Sequence, residues 1–276
     1  MPNSSKPIHY YQYKIDRWEK INSEVIIEKA VSLTVNGENW LTFMCTPIDL
    51  DAMAIGFLYN EGLINSHQEI ASIHVCKNEE NVDVWLYHDV KKPVAWYRTS
   101  GCTGGVTSVE NKIDLSNSIK PKLYNGALLT PKNITTLIGQ LFHSQDVYKV
   151  SGGVHTSALS DGDRLHVISE DIGRHNTLDK IAGRCLIEGL NLKRRILLTT
   201  GRISSEMLQK SARLGASTVV SRTSPSSLSI QLADLWGITL IGYTRRDRFR
   251  IYSHPERLHT PGIAYKTQPQ DQVNSE

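Results

Sequence analysis

The chain has 276 residues, enough for one large domain or two ordinary ones with ample core. Hydrophobic residues make up 39% and charged residues 21%, which argues against a disordered tail and against a membrane protein. The net charge of +3 is too small to argue for general nucleic-acid binding. Residues 1–14 are polar and aromatic, without the apolar stretch of a secretory signal, and no later run is long and apolar enough for a spanning helix. A cytoplasmic location, with no membrane and no nucleic-acid partner, is therefore expected.

From residue 24 to 88 the pattern is mainly strand-like. Val31, Leu33 and Val35 alternate before Asn36-Gly37, the preferred pair for a tight hairpin turn, and Trp40, Thr42 and Met44 alternate after it. A helix is predicted over 50–60, stopped by Gly62, and two short strands flank Asn78-Glu79-Glu80-Asn81. Residues 114–130 show little periodicity and read as a linker.

Past Thr130 the period changes. Thr130-Pro131 is a cap and first position for a helix ending near His143. Strands follow at 165–169, 195–199, 218–221 and 238–242, alternating with helices at 176–186, 204–214 and 226–235. Such alternation means right-handed βαβ units on a largely parallel sheet. The expected class is α/β, with a β-rich N-terminal domain over 1–125, an α/β domain over 126–260 and a polar tail over 261–276. The turns after the strands hold Glu170-Asp171-Ile172-Gly173-Arg174-His175, Thr200-Gly201-Arg202 and Arg222-Thr223-Ser224-Pro225. Ligands of open α/β sheets gather at that rim.

Four cysteines occur, none spaced as a metal knuckle or a redox pair. Cys45, Cys76 and Cys185 sit in strand or helix patterns and read as small core residues. Cys102 lies in Ser100-Gly101-Cys102-Thr103-Gly104-Gly105, a loop whose freedom suits a thiol that swings between donor and acceptor. By itself it reads equally as a turn residue or a nucleophile. Asp171 and His175, four apart, could form a general base, although a histidine at a helix start is often only packed. No His and Cys stand at zinc-ligand spacing, so no protein-bound metal is expected. Arg245, Arg246, Arg248 and Arg250 form a basic cluster that suits a phosphate-bearing ligand or, more commonly, a solvated strand edge.

Taken in order, several of these runs resemble one family, the FdhD formate dehydrogenase accessory sulfurtransferases. The likeness is carried by Arg98-Thr99-Ser100-Gly101-Cys102, Gly152-Gly153-Val154-His155-Thr156, Glu170-Asp171-Ile172-Gly173-Arg174-His175-Asn176-Thr177-Leu178-Asp179-Lys180, Thr200-Gly201-Arg202-Ile203-Ser204-Ser205-Glu206 and Ser221-Arg222-Thr223-Ser224-Pro225. It spans about 24–258. The resemblance implies a C-terminal three-layer α/β/α domain similar to the cytidine deaminase fold. It implies a sulfurtransferase that accepts persulfide sulfur from a cysteine desulfurase on Cys102. The sulfur then passes to the molybdenum or tungsten bis-guanine-dinucleotide cofactor of formate dehydrogenase, whose catalytic subunit is the acceptor partner. A homodimer is also expected. The family's guanine-dinucleotide segment falls on Tyr243, Thr244, Arg245, Arg246, Asp247 and Arg248, and Arg174, His175, Arg202 and Arg222 could add to that site. Two features depart from pattern. Many members carry CxxC at the carrier loop, and here its second position is Gly105. The deaminase zinc signature is also missing, so hydrolytic deamination is not expected. A cofactor-binding chaperone that transfers no sulfur is the alternative that the missing second cysteine keeps open.

Overall fold

The computed structural model describes residues 4–94, 96–98, 106–108 and 128–259. The Cys102 loop with Gly105, the predicted boundary at 125/126, most of the predicted linker and the tail past 260 lie outside the described residues.

The chain opens with a hairpin of β1 (Ser5–Lys14) and β2 (Arg17–Ile26). A second hairpin follows, β3 (Lys29–Val35) and β4 (Glu38–Cys45), turned through Asn36 and Gly37 at φ of 50° and 82°. That left-handed pair is the turn an Asn-Gly sequence favours. Helix α1 (Leu50–Asn60) leads on to β5 (Ile70–Val75) and β6 (Asn81–Leu86), and the four strands form one sheet in the order β4-β3-β6-β5. Its apolar face, with Val31, Leu33, Phe43, Val82 and Val84, packs on Met53, Phe57 and Leu58 of α1. The Phe43 and Phe57 rings meet edge-on at 5.0 Å. Strands β7 (Trp96–Arg98) and β8 (Val106–Ser108) pair as a short separate ribbon.

The second half holds α2 (Pro131–His143), α3 (Asp146–Ser151), β9 (His155–Ser160), β10 (Leu165–Asp171), α4 (Arg174–Ile187), β11 (Ile196–Thr199), α5 (Ser205–Arg213), β12 (Thr218–Ser221), α6 (Ser227–Leu235), β13 (Thr239–Gly242) and β14 (Arg250–Ser253). Thr130 caps α2 as the sequence suggested, accepting the Asn133 N–H at 3.1 Å. The sheet runs β10-β9-β11-β12-β13-β14. Alternation along β11 divides the core: Leu197 faces α4, α5 and α6, while Ile196 and Leu198 face α2. Three layers result, and the class is mixed α/β. The expectation of a largely parallel sheet needs correction, because only β11, β12 and β13 run parallel. Strands β9, β10 and β14 are antiparallel to their neighbours. Gly152 ends α3 in the left-handed conformation and releases the chain into β9.

Helix α1 also packs against α4, so it is buried nearly all round, with Ala52, Ile55 and Gly56 buried as well as the residues facing its own sheet. The contact is backbone to backbone. A Cβ on Gly56 would lie 1.7 Å from the Asp179 carbonyl oxygen, and one on Gly183 would lie 1.8 Å from the Ala52 carbonyl oxygen. Among the described residues no helix is long and apolar enough to cross a membrane.

The β9–β10 turn gives a pH-dependent contribution. Asp161 accepts the N–H groups of Asp163 (2.9 Å) and Arg164 (3.1 Å) and meets His166 Nε2 at 2.7 Å. Burial works to raise its pKa, but the His166 ring and those N–H groups outweigh it and hold the carboxyl at about 2, against an ordinary 3.8. A lowered folded-state pKa stabilises the fold above the unfolded value and loses that effect as pH falls through the folded value. Asp161→Asn is therefore expected to weaken the fold at neutral pH. In denaturant titrations its deficit against wild type should close as pH falls from about 4 toward 2.

Candidate functional site

The longest motif begins as architecture. At the end of β10, Asp171 accepts hydrogen bonds from the Gly173 N–H (2.7 Å) and Asn176 Nδ2 (2.8 Å) on one oxygen. Its other oxygen accepts the Thr46 N–H (3.0 Å) and Lys180 Nζ (2.6 Å). Lys180 donates as well to the Thr46 carbonyl at 3.0 Å, and Asn176 to the Met44 carbonyl at 3.0 Å. These buried bonds fasten the end of β4 to the start of α4. One turn on, Asp179 receives Lys210 Nζ at 2.6 Å on both oxygens and Asn60 Nδ2 at 2.7 Å. Glu170 caps α3, accepting the N–H groups of Val147 (2.7 Å) and Tyr148 (3.1 Å). Buried charges are tolerated only when paired in this way. With four donors on its oxygens, Asp171 is a clamp and not a free base. His175 is fully buried, and burial, with Lys210 and Arg174, holds its pKa well below the histidine range.

At the rim, the turn after β11 passes close under α4. A Cβ on Gly201 would lie 3.0 Å from the Arg174 Cβ and 3.5 Å from His155 Nδ1. His155 is half-buried, and burial together with the Arg174 and Arg202 charges lowers its pKa, so the ring is neutral at neutral pH. Of the four residues proposed to join a cofactor site, Arg174 and His175 are buried, Arg202 is exposed, and Arg222 lies 4.9 Å over the Phe142 ring. Hydroxyls hold these turns: Ser221 Oγ donates to the Gly201 carbonyl at 2.7 Å and accepts the Thr223 N–H at 2.9 Å.

The basic segment forms a pocket beyond β13. Only glycine fits at position 242, where a Cβ would meet the Thr223 carbonyl oxygen at 2.9 Å. Tyr243 then takes a left-handed φ of 51°, uncommon outside glycine and costly to hold. The chain turns back through an Arg245 N–H to Arg248 carbonyl bond of 2.8 Å and enters β14. Tyr243, Arg245, Arg248, Phe249 and Arg250 line a cavity of about 390 Å³. Among the described residues three guanidinium groups and no carboxylate line it, a composition suited to phosphate oxygens. Thr244 is fully buried beneath, and its Oγ1 has no hydrogen-bond partner among the described residues. Arg246 and Asp247 are exposed and are not among the lining residues. Arg245 also fixes the loop, because its Nη1 donates to the Arg222 (2.6 Å) and Thr244 (3.0 Å) carbonyls. Phe249 had no assigned role in the sequence, and Arg250 was named there only as part of the basic cluster. Arg250 lies 4.4 Å from the centre of the Tyr243 ring and covers one of its faces.

The described cysteines differ from one another. Cys45 and Cys185 are buried, and burial pushes their thiols up to about 12 and about 11. Cys76 corrects the sequence reading. It is half-exposed at the end of β5, where its sulfur accepts the Glu80 (3.2 Å) and Asn81 (3.1 Å) N–H groups. Reactivity follows access and thiolate content. Brief iodoacetamide treatment of the native protein is thus expected to label Cys76 and spare Cys45 and Cys185, read by peptide mass.

Residues 26–259 match the model of the FdhD/NarQ family. This chain belongs to that family. The sulfur carrier protein FdhD of Bacillus subtilis (strain 168) is 31% identical over 250 residues, spanning 90% of this chain and 95% of that one. The sulfur carrier protein FdhD of Staphylococcus aureus (strain MRSA252) is 33% identical over 256 residues, with 90% and 94% covered. A crystal structure described as a formate dehydrogenase accessory protein from Desulfotalea psychrophila aligns with a TM-score of 0.77 and 28% identity. That alignment covers 93% of this chain and all of the other. The FdhD/NarQ match takes in the clamp, the rim and the basic pocket, and it begins at the last residue of β2.

Proposed function

We propose that this chain is a cytoplasmic sulfurtransferase that carries sulfur for a formate dehydrogenase. Cys102 is the carrier: its thiolate attacks the outer sulfur of a cysteine desulfurase persulfide, a new S–S bond forms, and the desulfurase thiolate leaves. The sulfur is then passed to the molybdenum or tungsten bis-guanine-dinucleotide cofactor, which here is cargo, before or during its insertion into the dehydrogenase. The three-layer half is read as a cytidine-deaminase-like scaffold for that cargo.

The observation that supports the cargo site is the pocket of Tyr243, Arg245, Arg248 and Arg250, rich in guanidinium and closed at one side by an aromatic ring. A guanidinium fork matches phosphate oxygens bidentately, and the uncovered face of Tyr243 suits a guanine. Guanosine diphosphate is the surrogate for a calorimetric test. Arg245→Lys and Arg248→Lys are each expected to weaken binding by about 1–2 kcal/mol. Unaltered affinity in the Arg245→Ala, Arg248→Ala double variant would move the cargo elsewhere, to the rim around residues 170–175.

A further inference from the structure

The left-handed backbone at Tyr243, φ of 51°, is one that bulky side chains avoid, and burial does not explain it. Tyr243 is 38% exposed and, among the described residues, joins none of the three apolar clusters. What holds the conformation is main chain on both sides of the residue. The Tyr243 N–H donates to the Thr223 carbonyl at 3.0 Å, and the Thr244 N–H donates to the Ser221 carbonyl at 3.1 Å. Just before it, Gly242 is packed so closely that a Cβ would stand 2.9 Å from the Thr223 carbonyl oxygen and 3.0 Å from the Tyr252 ring. A strained residue fixed this firmly, with its ring kept out of the core, is aimed at something outside the core.

Arg250 reaches the same ring from β14. In the antiparallel pair of β13 and β14 it stands opposite Gly242, the residue before Tyr243. Residues opposite one another in such a pair project from one face, and here one of the two has no side chain. The Arg250 guanidinium lies over the neighbouring Tyr243 ring, 4.4 Å from its centre. A planar guanidinium stacks on an aromatic face and is attracted to its negative centre. Arg250 is itself exposed, so the contact is not a by-product of core packing. Its two neighbours in the pocket are placed differently. Arg245 is bonded through Nη1 to two carbonyls, and the Arg248 carbonyl closes the turn by accepting the Arg245 N–H. An unsupported tyrosine ring samples several rotamers, and a ligand stacking on it loses affinity to the entropy of fixing one. A guanidinium pinned to the back of the ring removes part of that loss and leaves a single face for stacking.

We infer that Arg250 is a positioning residue, which holds the Tyr243 ring as a one-sided platform for the base of the cargo and does not itself bind phosphate. The inference rests on the cargo site proposed above and divides its arginines by task. Calorimetry on the full chain with two probes separates the tasks: guanosine diphosphate, and inorganic pyrophosphate, which has the two phosphates and no base. Arg250→Ala is expected to weaken guanosine diphosphate about three- to tenfold, the range of a cation–π contact that is partly shielded from water. Pyrophosphate binding should fall by much less. Arg250→Lys keeps a cation beside the ring and should recover part of the loss. Tyr243→Ala should weaken guanosine diphosphate at least as much, and adding Arg250→Ala to it should cost nothing further, because the two residues act as one. Both side chains are exposed, so these variants keep the fold. Equal losses of both probes in Arg250→Ala would make Arg250 a phosphate ligand, and full guanosine diphosphate affinity would make it a bystander. Either result, or additive losses in the double variant, overturns the inference and leaves the cargo site standing. A wild type that binds no guanosine diphosphate overturns the cargo site and this role with it.

Discussion

Gly183→Ala is expected to destabilise the fold by about 3 kcal/mol or more, beyond the usual range for one extra methyl in a packed core. The reason is that the neighbour is backbone. The added carbon would stand 1.8 Å from the Ala52 carbonyl oxygen and 2.5 Å from its carbon, and no rotamer change relieves a clash with a main chain. Helices α1 and α4 would have to separate, and each carries part of two cores. On α1, Phe57 and Leu58 pack into the four-stranded sheet; on α4, Leu178 and Ile181 pack into the six-stranded one. Separation would also stretch the Asn60 to Asp179 hydrogen bond of 2.7 Å across the crossing. For a chain of this size the loss corresponds to a drop in melting temperature of roughly 6–12 °C. Gly139→Ala is the matched control. It lies in the middle of α2, and a Cβ there meets nothing within 4 Å, so only helix propensity changes and up to about 1 kcal/mol is gained. Equal melting temperatures for wild type and Gly183→Ala would refute the close crossing.

That crossing shows what the sequence made legible and what it hid. The span of α1, with its stop at Gly62, follows from an apolar run and a left-handed glycine, both local signals. The same holds for the Asn36-Gly37 turn and the Thr130 cap. Gly56 and Gly183 carry no such local signal, because their use depends on a partner helix 127 positions away in the chain. The β1–β2 hairpin went unread for a physical reason. Its turn is Ile15-Asp16, without glycine or asparagine, and aromatic residues occupy both faces of β1. Helix α3 is six residues long, too short for a periodic signal, and β14 is a four-residue edge strand opening on an arginine. Missing β9 and β14 made the sheet look more parallel than it is, since the βαβ rule applies only to β11, β12 and β13.

The candidate site divides in the same manner. Tyr243, Arg245 and Arg248 were named from a resemblance, and they do line one cavity. Arg250, grouped with them in the sequence only as part of a basic cluster, joins them through the return of β14, and Arg246 and Asp247 leave it because the turn at Arg245 and Arg248 puts them outside. The long run from Glu170 to Lys180 reads in sequence as chemistry. In the fold its Glu170, Asp171, Asn176, Asp179 and Lys180 side chains are all engaged in capping, clamping or pairing. Charged residues inside a core carry the same letters as charged residues in a site, and only burial tells them apart.

Whether Cys102 carries the sulfur, as proposed above, is decided by the mass of its peptide. The protein is incubated with a cysteine desulfurase and cysteine, then digested without reductant. Cys45 and Cys185 are buried with raised thiol pKa values, so they serve as internal controls, and half-exposed Cys76 is the stringent one. A gain of one sulfur atom on the Cys102 peptide alone is expected, with complete loss of that gain in Cys102→Ser and an unchanged melting temperature in the same variant. Sulfur distributed equally over Cys76 and Cys102, or retained in full by Cys102→Ser, would contradict the proposal.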